Sequence, residues 1–230
     1  MIPRKIHYCW FGKSAYPLLV EKCLANWKKK LPDYEYKLWD ESNSPMSEPV
    51  IQSAYKKKNY AFVSDFVRLH AVHSEGGIYL DSDIEIVRDF DPLLSEKCFL
   101  GFSQRNFVNN AVMGGEKGFA LLLEMMDFMK KMYLEGEEQL TSPRVTTAVL
   151  REHGLKDYGD QIIANARLLP REAFYPYNPY DPERPLNNFF FEDVKENTFT
   201  VHHYMASWNK TNKLKLILNK IKNTNVFKKN

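Results

Sequence analysis

Residues 60–87, YAFVSDFVRLHAVHSEGGIYLDSDIEIV, constrain the fold more than any other part of this chain. Phe62, Phe66 and Leu69 recur at helical spacing, and Val63, Val67 and Ala71 extend the same apolar side, so 60–75 reads as a helix. Gly76-Gly77 stops it. The apolar run Ile78-Tyr79-Leu80 follows at once and reads as a strand. Two aspartates separated by one serine then interrupt a pattern that resumes at Ile84. Carboxylates are costly to bury without a partner, so a strand that delivers Asp81 and Asp83 together needs something to offset their charge.

The flanking segments repeat this alternation. Ile6 to Phe11 reads as a strand ending at Gly12, and 17–29 as a helix with Leu18, Leu19, Cys23 and Trp27 inward. Pro32-Asp33 marks a turn, 34–39 a second strand, and 47–58 a second helix. A β-α-β-α opening points to parallel strands joined by crossover helices. Further on, 99–102 and 107–115 read as strands and 118–134 as an apolar helix. Ser142-Pro143 reads as an N-cap followed by proline at the first helical position. Residues 160–200 read as irregular or β-like, and 198–204 as a late strand.

In open α/β sheets ligands gather beyond the carboxyl ends of strands. On a strand, Asp81 and Asp83 would point the same way. Both can then face one hard cation, Mg²⁺ or Mn²⁺, that keeps positions open for phosphate oxygens. The alternative is a pair of capping or turn aspartates. A second pair, Asp89-Phe-Asp91, precedes Pro92 and reads as a turn with solvated carboxylates. A distant run, HHYMASW at 202–208, adds adjacent histidines that a strand would send to opposite sides. Asp65 and Arg68 lie three apart and share a helix face. Their apolar neighbours argue against a plain surface ion pair. Trp10, at the end of the first strand, reads either as a core aromatic or as a flat face for a base.

Composition sets the bounds. With 44% hydrophobic residues the chain of 230 can build one sizeable core. No stretch has the apolar length of a membrane span. The N-terminus lacks a signal-peptide layout, and three cysteines without metal-like spacing fit a reducing cytoplasm. Seven lysines and no acid lie in 210–230, so removing them from the net +3 leaves −4 for residues 1–209. That distribution argues against a nucleic-acid-binding face. Within 210–230, Leu214, Ile217, Leu218 and Ile221 form a short basic amphipathic helix. It suits either docking on its own domain or peripheral contact with an anionic membrane on the cytoplasmic side.

Four segments together, 2–12, 60–87, 107–115 and 201–208, resemble the DXD-motif sugar transferases of glycosyltransferase family 32, which include many bacterial capsule and lipopolysaccharide enzymes. The resemblance implies a single GT-A domain over 1–209, a Rossmann-like mixed sheet flanked by helices, followed by the 210–230 tail. It implies a nucleotide-sugar donor, UDP- or GDP-linked, with Mn²⁺ or Mg²⁺ on its diphosphate. Transfer would retain anomeric configuration and end on a saccharide or lipid-linked saccharide acceptor, with no nucleic acid involved. By position, Asp83, Asp81 and His203 match the metal set, with Asp83 the firmer ligand. Asp65 and Arg68 match the helix that holds the donor, and with Asp81 and Asp83 they form the expected catalytic group. Trp10 matches the base-stacking aromatic. Ser207 and Trp208 match residues near the diphosphate, and Asn109 or Asn110 an asparagine near the sugar. Ala111 departs from the glycine often found there. No residue matches a covalent nucleophile, which favours same-face attack with the departing phosphate taking the acceptor proton. Two rivals stand beside this reading. An aspartyl-phosphate phosphatase wants Thr or Val where Glu85 lies, and a non-catalytic nucleotide-binding module leaves most of the chain unexplained.

Overall fold

A computed structural model describes residues 1–136, 140–181 and 193–205. The seven-stranded sheet is built around a centre that the Gly-Gly break makes possible. Strand β1 (Lys5–Cys9) is followed by helix α1 (Leu18–Lys30), strand β2 (Glu35–Trp39), helix α2 (Pro49–Lys56) and helix α3 (Tyr60–Glu75). Asn59 caps α3 by accepting the Phe62 N–H at 3.3 Å. Gly76 closes it at φ 70°. Gly77 follows at φ 116°, where an added Cβ would lie 2.7 Å from the Lys5 carbonyl oxygen. Only glycine lets β3 (Gly77–Leu80) approach β1 so closely.

β3 is fully buried and lies between β1, to which it is parallel, and β6 (Phe107–Gly115), to which it is antiparallel. With β5 (Cys98–Gln104), β7 (Gln161–Ile163) and β8 (Ala166–Leu169), the order is β2-β1-β3-β6-β5-β8-β7. One face packs on α2, α3, α4 (Ala120–Leu134) and α5 (Ser142–Glu152) through Val63, Val67, Leu122, Met125 and Val149. The other packs on α1 and the aromatics Phe90, Phe99, Phe174 and Phe199. Residues 160–200, expected to be irregular or β-like, contain β7, β8 and the short helix α6 (Arg171–Phe174).

The chain leaves this sheet after β3. Strand β4 (Ile84–Ile86) pairs instead with β9 (Thr200–His202) in a separate two-stranded ribbon. Helix α1 fastens the ribbon, since Trp27 Nε1 donates to the Ile84 carbonyl at 2.7 Å and Asn26 bonds the Ile86 backbone in both directions. Asp81 and Asp83 therefore lie in the turn between β3 and β4 and not within a strand. The Ile84 N–H bonds the Asp81 carbonyl at 3.0 Å, which ends the extended run that the apolar pattern suggested. Thr141, not Ser142, is the N-cap of α5. The basic 210–230 segment, and the boundary at 209, lie outside the described residues.

Candidate active site

The site forms where β3 ends. Asp81 continues the ladder by one bond, its N–H donating to the Ala111 carbonyl at 2.8 Å. Its carboxylate stays on the side of Tyr79, two residues earlier, whose hydroxyl donates to Asp81 Oδ1 at 2.9 Å. α3 crosses this point and supplies a guanidinium. Arg68 Nη2 lies 2.8 Å from Asp65 Oδ1 and 3.0 Å from Asp81 Oδ1. Arg68 Nη1 donates to Asn110 Oδ1 at 3.1 Å and Nε to the Ser64 carbonyl at 3.3 Å. The Arg68 side chain is only 6% exposed, so this is no surface ion pair. Its donors are spent on protein groups. Arg68 thus orders two carboxylates; it does not reach out of the site.

Two carboxylates share that one cation, and the Asp65 environment reflects it. Burial raises its carboxyl pKa to about 6, the nearby Arg68 charge opposes the rise, and Asp81 adds to it. The backbone N–H of Ser142, at the start of α5, also bonds Asp65.

Asp83 turns to the ribbon. It is buried, and its Oδ1 lies 3.2 Å from His202 Nε2 while Oδ2 accepts the Met205 N–H at 2.8 Å. Burial alone would raise its pKa, but His202 and the backbone N–H groups outweigh it and hold the carboxyl at about 2. Burial pulls the other way on His202, and the Asp83 charge overcomes it, so the imidazole pKa is raised.

The expected metal histidine was His203, and the structure corrects that placement. His203 Nε2 lies 3.0 Å from Glu85 Oε2, in an exposed pair. The histidine beside the aspartates is His202, because antiparallel pairing sets Ile84 opposite it in the ribbon. Asp81, Asp83 and His202 each present one ligand atom within 4.8 Å of the others. His202 Nδ1 is buried and has no hydrogen-bond partner among the described residues. Two carboxylates and an imidazole form a donor set that suits Mn²⁺, and this set fits a divalent cation.

The remaining expectations separate by strand parity. Asn110 meets Arg68, whereas the Asn109 side chain turns back to accept the Ala111 N–H at 2.9 Å. Trp10 sits apart in the β1–α1 loop, its indole N–H donating to the Ser14 carbonyl at 2.7 Å and its ring edge on Tyr16. Ser207 and Trp208 lie outside the described residues. Tyr79, His202, Ser142 and Thr146 escaped the sequence reading. Tyr79 shares its parity with Asp81, and Ser142 and Thr146 lie four apart on one helix; these were the available signals. The second pair is not simply solvated, since Asp91 accepts from Arg4 at 2.7 Å and Tyr34 at 3.1 Å.

A mixed sheet with helices on both faces, carrying an acidic pair where its central strand ends, is the GT-A fold. Residues 17–100 match the family described as the glycosyltransferase sugar-binding region containing the DXD motif. The inositol phosphoceramide mannosyltransferase 3 of Schizosaccharomyces pombe is 33% identical over 133 residues, covering 54% of this chain and 36% of the relative. The chain thus spans about a third of that relative's length. Two solved structures share the fold. PaToxG glycosyltransferase has a TM-score of 0.58 at 21% identity, over 66% of this chain and 69% of its own. The galactosyltransferase LgtC, solved with donor and acceptor sugar analogs, has a TM-score of 0.53 at 10% identity over 90% of each chain. No helix among the described residues is long and apolar enough to cross a membrane.

Proposed function

We propose that this domain moves a sugar from a nucleotide-diphosphate sugar to a hydroxyl acceptor, with retention of configuration and with a divalent cation held by Asp81, Asp83 and His202. The observation that carries the proposal is the convergence of those three side chains beside the Asp65–Arg68–Asn110 group. Two carboxylates to one guanidinium leave this corner negative, which favours a cation. When bound, the cation supplies Lewis-acid stabilisation of the diphosphate leaving group.

The chain's own residues do the rest. Asp65 accepts hydrogen bonds from donor-sugar hydroxyls, and Arg68 holds Asp65 and Asp81 in one orientation. Trp10 offers a ring face to the base, its N–H already committed to Ser14. Tyr79 keeps Asp81 oriented from below. The acceptor oxygen attacks the anomeric carbon on the leaving-group face, the bond to the diphosphate oxygen breaks, and that oxygen takes the acceptor proton. Trapping a glycosyl adduct on a carboxylate would overturn this step.

The named activity of the S. pombe relative makes mannose the first donor sugar to try. The acceptor is a saccharide or a lipid-linked saccharide, as in capsule or lipopolysaccharide synthesis, and the 210–230 segment would aid the lipid-linked case from the cytoplasmic side. A donor-hydrolysis screen over UDP- and GDP-sugars with Mn²⁺ tests the core reading. Sugar release that requires metal supports it. Metal-dependent nucleotide binding without release from any donor would favour a non-catalytic module.

A further inference from the structure

Helix α5 meets the site through more than the Ser142 N–H on Asp65, because the side chains of its first turns are built into it. Asn110, 1% exposed, has its amide fixed on both sides. Its Oδ1 accepts from Arg68 Nη1 at 3.1 Å and from the Ser142 hydroxyl, and its Nδ2 donates to Thr146 Oγ1 at 3.1 Å. Thr146 is fully buried and Ser142 is 6% exposed, so bulk water has little access to replace either contact. An amide has two orientations of nearly equal shape and opposite polarity. Turned over, Asn110 would aim its NH₂ at the guanidinium and lose the charge-assisted bond. The guanidinium, which can only donate, selects the orientation that aims the oxygen at Arg68, and the Thr146 and Ser142 hydroxyls, able to donate or accept, hold the two ends of the amide in place.

We propose that Thr146 and Ser142 are positioning residues of the donor site, locking the Asn110 amide and through it the Arg68 guanidinium between Asp65 and Asp81. This rests on the donor-site reading above. Displacing such a group by a fraction of an ångström is costly in a site that works by orientation. The expected cost falls more on sugar handling than on the metal, because of the three proposed metal ligands only Asp81 is paired with Arg68, and among the described residues Asp83 and His202 make no hydrogen bond to this chain of groups.

A neighbouring residue supplies the control. Thr147 is 2% exposed, and its Oγ1 accepts the Val108 N–H at 3.0 Å. Thr146→Val and Thr147→Val each delete one buried hydroxyl from adjacent positions of one helix, but only the first touches Asn110. Three variants, Thr146→Val, Thr146→Ser and Thr147→Val, are compared by metal-dependent donor hydrolysis and by thermal unfolding. Calorimetry adds the affinities for the nucleoside diphosphate and for a non-hydrolysable nucleotide-sugar analogue, each with Mn²⁺. Thr146→Val is expected to lower kcat about 10- to 100-fold and to weaken the sugar analogue more than the diphosphate. Thr146→Ser should restore most of the rate. Thr147→Val should lose stability while keeping its rate. The proposal is overturned by wild-type kinetics in Thr146→Val, or by an equal fall in kcat in Thr147→Val, which would make the effect one of packing. Failure of the donor-site reading shows differently, as a wild-type protein that hydrolyses no nucleotide-sugar.

Discussion

The chain carries the same three-residue spacing twice, eight residues apart, and the two copies have opposite fates. Asp81 and Asp83 end a buried central strand, and one of them shares its cation with a second carboxylate. Asp89 and Asp91 sit at a 3₁₀ turn on the surface. There Asp89 bonds the Asp91 N–H, and Asp91 has Arg4 and Tyr34 to itself. The first pair leaves buried charge to be offset by a ligand; the second is met by Arg4 and by solvent, since Asp89 and Asp91 are exposed. The spacing is the same, so the surroundings decide the role.

The largest contrast should appear in activity. Asp83→Ala is expected to remove metal-dependent donor hydrolysis by about a thousandfold or more with the fold intact by circular dichroism. Asp91→Ala should stay within about twofold of wild type. Comparable losses in both would erase the distinction.

Stability gives the next contrast. Arg68→Met leaves Asp65 and Asp81 together without their cation, and urea unfolding should show a loss of about 3–5 kcal/mol. Arg4→Met removes the exposed partner of Asp91 and should barely move the unfolding midpoint. Gly77→Ala comes third. Its φ of 116° and a Cβ 2.7 Å from the Lys5 carbonyl should cost about 1–3 kcal/mol and displace the first pair without touching the second.

The smallest effect concerns pH. His7 is buried, with Nε2 on the Gly76 carbonyl at 2.8 Å and Nδ1 accepting from Trp39 Nε1 at 3.0 Å. Burial lowers its pKa, the Gly76 carbonyl only partly offsetting this. The unfolded chain therefore binds the proton first as pH falls below about 6.5. The stability from neutral His7 is present above that pH and is lost progressively below it, by at most about 1.4 kcal/mol per pH unit. His7→Gln should flatten this part of the stability–pH curve. In the second pair the pH-dependent group is Asp91, whose carboxyl the Arg4 hydrogen bond holds below the usual carboxylate range, so its contribution is lost only as pH falls through that lower range.

Much of this was legible from local pattern. The bounds of α3 follow from its apolar rows and the two glycines, and β6 from its run of small and apolar residues. The points that were not legible depend on distant partners. Whether His202 or His203 faces the aspartates is fixed by the β4–β9 register, and shifting that register by one residue would exchange them. The turn at Asp81–Ile84 appears only because β4 pairs outside the main sheet. Asn110 is distinguished from Asn109 by facing α3 and α5, and nothing in the two letters encodes that. Ser142 and Thr146 looked like ordinary helix residues because their meaning lies in Asn110, 32 and 36 residues earlier.

The two-stranded ribbon has a consequence for the order of assembly. It joins Ile84 to His202, 118 positions further along, so closing it carries the entropy of a very long loop. The helix–strand unit at 60–80 relies on near neighbours and can form early. His202 arrives only with the last described strand. A growing chain would thus expose Asp81 and Asp83 well before their third partner exists, and capture of a cation by all three is tied to completion of the fold.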